Sequence, residues 1–121
     1  MNPYQYPAHL VDVVDGDTQD YVVDLGFNIT KQIRVRLKHV DTHETYGVSH
    51  DSKEYQRGER ETEFVESWLR NAEDKYNGQW PLYLTTEKKG KYGRYLATVR
   101  RRFDEETLHT RLLNEFEGID A

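Results

Sequence analysis

The sequence predicts a mainly β domain with α-helical additions, in which five strands close into a small barrel of the OB type. Three apolar segments before residue 41 are separated by short turn-forming stretches, which is typical of an antiparallel meander. A helical period follows from about residue 56, and two further strand-like segments lie after residue 79. Five strands with a helix inserted after the third match the order of elements in an OB barrel.

Turn-forming residues separate the first three strands. Apolar residues at 10–14 predict the first strand, and Asp15-Gly16 predicts a hairpin turn because both residues tolerate positive φ. The second strand is expected at 21–27, a turn at 28–31 and the third strand at 32–40. The alternating residues of the third strand are Ile33, Val35, Leu37 and His39 on one face and Arg34, Arg36 and Lys38 on the other. This period of two predicts a strand with one face in the core and a cationic face outside it.

The second half of the chain begins with residues 45–55, which show no period and are expected to form an exposed loop. An amphipathic helix is predicted from about residue 56 to Asn77-Gly78. Its apolar residues are Phe64, Val65, Trp68, Leu69 and Ala72. Strands are expected at 80–86 and 95–99, on either side of a basic turn at 88–94. Asp104 is expected to cap a final helix. The apolar face of that helix comprises Leu108, Leu112, Leu113 and Phe116.

Length and composition exclude several classes of protein. The 121 residues suit a single domain over residues 1–121. Because the chain has no cysteine, disulfides, thiolate zinc sites and cysteine nucleophiles are excluded. The net charge of −5 argues against tight non-specific binding of nucleic acid, so such an activity would need a local basic patch and a bound cation.

No segment of the sequence specifies a cellular compartment or an oligomeric state, so the ordinary expectation is used for both. The sequence has no apolar run of membrane-spanning length and does not begin with a basic segment followed by an apolar one. The cytoplasm is therefore the expected compartment, and secretion of a processed form stays open. A monomer is expected, because the sequence indicates no unexplained apolar patch.

The segment Asp15-Gly16-Asp17-Thr18 has two interpretations. The simpler is a plain hairpin turn, and the other makes Asp17 a carboxylate ligand for a divalent cation. The segment is similar to the start of an EF-hand loop. An EF-hand is nevertheless excluded, because the later acidic positions and the final Glu of that loop are missing.

The segment Val40-Asp41-Thr42-His43-Glu44 follows the third strand and is either a polar loop or part of a cation site. In the functional interpretation Asp41 is a second carboxylate ligand and the Thr42 carbonyl supplies a third oxygen. Glu44 would then orient or deprotonate a water molecule. His43 has no second His or Cys at metal spacing, so it is interpreted as a loop residue.

The segment Lys91-Tyr92-Gly93-Arg94 lies in a basic turn, which by itself indicates only a solvated surface. In the functional interpretation the planar fork of Arg94 binds a phosphate, and Tyr92 is a hydroxyl donor or stacking surface beside it. Arg36, on the strand that leads to Asp41, is a second phosphate clamp. Two Asp for a cation, two Arg for phosphoryl charge and one Glu for water together predict phosphodiester hydrolysis.

These three motifs, in this order and spacing, resemble the signature blocks of the staphylococcal nuclease (thermonuclease) family. The resemblance rests on residues 14–18, 36–37, 40–44 and 91–97, with Gly58, Phe64 and Leu69 fitting the first helix of the family. It covers about residues 7–118. It implies an OB-fold barrel with two to three helices and Ca²⁺-dependent, sugar-nonspecific cleavage of DNA and RNA that leaves 3′-phosphate ends.

The resemblance implies a role for each residue of this chain that matches a functional position of the family. The implied calcium ligands are the carboxylates of Asp17 and Asp41 and the carbonyl of Thr42. The implied catalytic residues are Glu44, which acts on water, and Arg36 and Arg94, which clamp the phosphate; the implied contacts to the terminal phosphate are Lys91 and Tyr92. The chain departs from the family at three places: His43 stands where Pro is usual, the loop at 46–55 is insertion-like, and the paired base-stacking tyrosines have no obvious counterpart.

A non-catalytic OB module that binds single strands or a protein partner is the alternative function. The acidic net charge favours this alternative. The intact carboxylates weigh against it, because carboxylates that face a phosphate repel it unless a cation lies between them. Mg²⁺ or Mn²⁺ in place of Ca²⁺ also stays open, since all three prefer oxygen ligands.

Overall fold

The computed structural model describes residues 4–75, 80–89 and 93–121. Within them lie β1 (Gln5–Asp15), β2 (Thr18–Asp24), β3 (Thr30–Leu37), α1 (Lys53–Lys75), β4 (Leu82–Lys89), β5 (Tyr95–Arg101) and α2 (Leu108–Glu115). The predicted order of elements is confirmed. Neither of the helices found in these residues has both the length and the apolar character that a membrane span requires.

The five strands close into a barrel in the order β1-β2-β3-β5-β4, and β4 pairs back onto β1. Four of the five pairings are antiparallel, while β3 and β5 run parallel. Short turns suffice for the β1-β2-β3 meander, whereas the parallel pair needs the long connection that α1 and β4 provide. The mainly β fold is therefore a closed five-stranded barrel with two helices among the described residues, consistent with the predicted OB type.

The core fills the barrel and extends under the helices. On β3, Val35 and Leu37 are buried and Arg34 is exposed, as the alternation predicted. α1 covers one side of the barrel with an apolar stripe that includes the buried Val65 and Leu69. Burial of such a stripe, and not helix propensity, supplies most of the stability of a helix in a folded protein.

The strand boundaries differ from the sequence prediction at several places. β2 begins at Thr18 and not at 21, β3 begins at Thr30 and not at 32, and β4 (Leu82–Lys89) continues into the predicted basic turn at 88–94. β1 starts at Gln5 and not near residue 10, because residues 5–8 pair antiparallel with residues 82–85 of β4. β2 ends at Asp24, and Phe27 lies in the following turn with φ +55° and 97% of its surface exposed. β3 ends at Leu37, because His39 has φ +73° and is exposed rather than part of the strand.

The helix boundaries also require corrections. α1 begins at Lys53, where the sequence predicted a loop, and the Ser52 hydroxyl accepts a hydrogen bond from the Tyr55 amide at 3.1 Å. Asp104 does not cap α2, which begins at Leu108 after Thr107. Asp104 instead accepts a hydrogen bond from the Glu106 amide at 3.0 Å, within the turn before the helix. The predicted helix end at Asn77-Gly78 lies outside the described residues.

Candidate functional site

The turn between β1 and β2 packs directly against the loop that follows β3. A Cβ atom on Gly16 would lie 2.7 Å from Cγ2 of Thr42, so only glycine permits this approach. The Asp17 carboxylate accepts a hydrogen bond from the Thr42 amide at 3.0 Å, and both residues are buried. Neither Asp15 nor Gly16 has positive φ, so the prediction that this turn uses their tolerance of positive φ is wrong. Close packing, and not backbone freedom, requires glycine at position 16.

Arg36 joins the two predicted carboxylate ligands of the cation. Its Nη2 lies 3.4 Å from Oδ2 of Asp17 and 3.2 Å from Oδ1 of Asp41. Its Nη1 donates hydrogen bonds of 2.7 Å to the carbonyls of Leu37 and Val40. The two aspartates come from different loops, and the fold brings their carboxylates to a single guanidinium nitrogen.

Arg94 reaches the same cluster from the start of β5. Its Nη1 donates a 3.4 Å hydrogen bond to the Thr18 hydroxyl, which in turn donates to Oδ1 of Asp17 at 3.1 Å. The parallel pairing of β3 with β5 sets Arg36 opposite Leu96, two residues after Arg94. Strand pairing thus places both predicted phosphate clamps on one part of the barrel wall.

Asp15 belongs to this cluster, although the sequence analysis assigned it no role. Burial raises the pKa of Asp15 to about 7, and the hydrogen-bonded carboxylate of Asp17 and the charge of Glu44 add to the effect. Asp15 also accepts a 3.0 Å hydrogen bond from the Asp17 amide. The Asp-x-Asp spacing across a tight turn was the signal in the sequence. Glu44 itself is exposed, so its carboxylate meets solvent at the edge of the cluster.

The loop that carries Glu44 is bound to α1 by a second carboxylate that the sequence analysis missed. Glu61 is 1% exposed and accepts hydrogen bonds from the backbone amide and from Nδ1 of His43, at 2.7 and 2.8 Å. A Cβ atom on Gly58 would lie 2.6 Å from the His43 carbonyl oxygen. His43 is a loop residue, as predicted. A charged residue four positions before Val65, on the apolar stripe of α1, was the available signal for Glu61.

The cluster contains oxygen donors that suit a hard divalent cation. The oxygens of Asp17, Asp41 and the Thr42 carbonyl are hard donors of the kind that Ca²⁺ prefers. Within residues 4–75, 80–89 and 93–121, no three His, Cys, Asp or Glu side chains converge as a ready-made metal site. The predicted set contains two carboxylates, so water and substrate oxygens would complete the coordination shell. Lys91 and Tyr92, the predicted contacts to a terminal phosphate, lie outside the described residues.

A cavity of about 830 Å³ opens elsewhere on the barrel, between the starts of β1, β3 and β5 and the ends of β2 and β4. Tyr6, Val23, Ile33 and Tyr95 are among its lining residues. None of the predicted site residues that the structure describes lines it, so the cavity is separate from the carboxylate and arginine cluster.

The fold and the cluster define a class: an OB-like barrel whose surface combines aspartates with two arginines at the start of β2, the end of β3 and the start of β5. No protein-family model matches this chain, and no curated protein sequence matches it.

Proposed function

We propose that this protein is a Ca²⁺-dependent nuclease that hydrolyses the phosphodiester bonds of DNA and RNA without sugar preference and leaves 3′-phosphate ends. The observation that carries the proposal is the meeting of Asp17 and Asp41 on one nitrogen of Arg36. Arg94, linked to Asp17 through Thr18, adds a second guanidinium. Acidic and cationic groups in one cluster suit a reaction that holds a cation beside a phosphate.

The proposed roles follow from the charge that develops during hydrolysis. Ca²⁺ held by Asp17, Asp41 and the Thr42 carbonyl would supply positive charge against the phosphodiester. Glu44 accepts a proton from the attacking water, whose oxygen forms a bond to phosphorus. The bond to the 5′-oxygen breaks, that oxygen takes a proton from solvent water and becomes a hydroxyl, and the phosphate stays on the 3′-oxygen. Glu44 then returns its proton to solvent.

The two arginines favour the transition state over the ground state. Negative charge grows on the phosphoryl oxygens as water attacks. A guanidinium aimed at those oxygens binds them more strongly as their charge grows. Arg36 is well suited to this role because its Nη1 is already fixed on two carbonyl oxygens at 2.7 Å. Less side-chain entropy is therefore lost when the phosphate binds.

A digestion series tests the proposal. Plasmid DNA and a single-stranded RNA are incubated with the purified protein and Ca²⁺, Mg²⁺ or Mn²⁺, with and without chelator. We expect cleavage of both substrates with Ca²⁺, loss of cleavage with chelator, and 3′-phosphate and 5′-hydroxyl ends on the products. Retention of single strands without cleavage, insensitive to chelator, would instead favour the non-catalytic OB module.

Variants assign the chemistry to named groups. Arg94→Ala and Glu44→Gln should each lower kcat by about 100-fold, which is the usual scale for loss of an electrostatic or acid–base group. Arg100→Ala is the matched control, because Arg100 lies on β5 but pairs with the exposed Glu105 at 3.0 Å. An Arg94→Ala protein that digests nucleic acid at the wild-type rate with Ca²⁺ present would refute the assignment.

A further inference from the structure

Glu61 is a carboxylate buried on the apolar stripe of α1, and both of its oxygens are hydrogen-bonded to a single residue. Oε1 accepts from the His43 amide at 2.7 Å, and Oε2 lies 2.8 Å from His43 Nδ1. A buried carboxylate is costly unless its charge is hydrogen-bonded, so these two contacts account for its place in the core. The charged form of Glu61 requires that Nδ1 carries the ring proton.

Three separate atoms fix His43 against α1. The amide nitrogen and Nδ1 bind Glu61, and the carbonyl oxygen sits so close to Gly58 that a Cβ there would approach it to 2.6 Å. The preceding amide, that of Thr42, is held by Asp17 at 3.0 Å. Two consecutive backbone amides are therefore held by carboxylates from different elements. The backbone is therefore constrained just before Glu44, although the Glu44 side chain is exposed.

We propose that Glu61 and His43 act as a positioning pair, which holds the backbone at Glu44 so that its carboxylate meets the attacking water in the productive orientation. This inference rests on the proposed hydrolytic function and extends it to two residues outside the proposed set of cation ligands and phosphate clamps. A misplacement of about 1 Å at a catalytic group costs on the order of 100-fold in rate. Partial loosening of the loop should therefore lower kcat measurably.

The protein contains a matched control for this pair on the same helix. Glu73 binds the Leu10 amide at 2.9 Å and lies 3.1 Å from Nδ1 of His9, which repeats the pattern of one backbone amide and one imidazole. This second pair joins α1 to the middle of β1 and has no part in the proposed chemistry. Comparing the two pairs separates docking of α1 from positioning of Glu44.

The experiment compares Glu61→Gln with Glu73→Gln. Glutamine keeps the size of the side chain and one acceptor oxygen, but it loses the charge and the second acceptor. We expect Glu61→Gln to lower kcat by about tenfold at saturating Ca²⁺, with KM for a short DNA unchanged, while Glu73→Gln leaves kcat unchanged. His43→Leu should lower kcat as Glu61→Gln does. His43→Asn should recover most of the loss, because the Asn amide can donate from nearly the position of Nδ1.

Amide hydrogen exchange at residues 43–45 provides a readout other than activity, and it should be faster in Glu61→Gln than in the wild type or in Glu73→Gln. Suppose that the wild-type protein hydrolyses DNA. If Glu61→Gln then keeps the wild-type kcat, or if Glu61→Gln and Glu73→Gln lose the same factor in kcat, the positioning role of Glu61 and His43 is wrong, while the proposed function stands. Absence of Ca²⁺-dependent hydrolysis by the wild-type protein would overturn the proposed function. The catalytic part of this inference would fall with it, while the exchange rates would still report whether Glu61 orders the loop.

Discussion

Replacement of Gly58 by Ala sets two opposing effects against each other. Ala is favoured over Gly in a helix interior by about 1 kcal/mol. The new Cβ would, however, lie 2.6 Å from the His43 carbonyl oxygen and 2.7 Å from Cγ2 of Thr45. The first of these is a backbone atom, which cannot rotate away, so either α1 or the loop must move.

The clash should outweigh the gain in propensity. Overpacking of this kind costs about 1–3 kcal/mol. Any shift of the loop also weakens the two hydrogen bonds to Glu61, and complete loss of one hydrogen bond to a charged group costs about 1.5–3 kcal/mol. We therefore expect a net decrease of about 2 kcal/mol in the free energy of unfolding. For a domain of this size, at roughly 4 °C for each kcal/mol, Tm should fall by about 8 °C.

Urea and thermal unfolding followed by circular dichroism measure this change. The neighbouring residue Arg57 is exposed, so a comparison of Arg57→Ala with Arg57→Gly isolates the propensity term on the same turn of α1. There the Ala variant should be the more stable by about 1 kcal/mol, the reverse of the order at position 58. A Gly58→Ala protein as stable as the wild type, or more stable, would show that α1 does not approach the loop this closely.

Three further predictions concern other contacts. If Ca²⁺ binds as proposed, Gly16→Ala should weaken its binding in a titration, because the new Cβ would meet Cγ2 of Thr42 at 2.7 Å. Thr42→Ser in the same chain should recover part of the affinity, and an unchanged affinity in Gly16→Ala would contradict the proposed link between this packing and the cation site. Glu106→Ala removes the acceptor that binds the Trp68 indole at 2.7 Å and should lower the free energy of unfolding by about 1–3 kcal/mol, measured in urea. Burial and the nearby His39 and Lys38 lower the pKa of His109, so the folded state binds fewer protons and stability should be lost as pH falls through 6.5. His109→Gln should then show a smaller fall in Tm between pH 7.5 and 5, and an equal fall would exclude His109 as the source.

Periodicity in the sequence was sufficient for the elements and their order. The alternation around Val35 and the stripe through Val65 predicted a strand and a helix that the structure contains, because burial of one face imposes those periods. The ends of the strands were less predictable, because strand pairing and backbone conformation set them independently of the hydrophobic period. The pairing of residues 5–8 with β4 extended β1 toward the N-terminus, and the positive φ of His39 ended β3 earlier than its apolar pattern indicated.

The spacing of the motifs also indicated that Asp17, Asp41 and Arg36 belong together, and these three groups are in contact. Their approach follows from the register of the strands: Thr18 pairs with Arg36, so Asp17 lies beside Arg36, and Asp41 follows the end of the same strand, β3. Whether they carry out hydrolysis stays a prediction.

Residue order and residue type by themselves determined a five-stranded barrel with helices and a cluster of acids and arginines on it. Only the tertiary structure decided that Asp15 joins that cluster, that Gly16 and Gly58 are needed for close approach, and that Glu61 holds the loop before Glu44. The reason is physical. Periodicity reports which face of an element is buried, whereas a carboxylate or a glycine in contact with a distant loop depends on how two elements pack, and no local pattern records that distance.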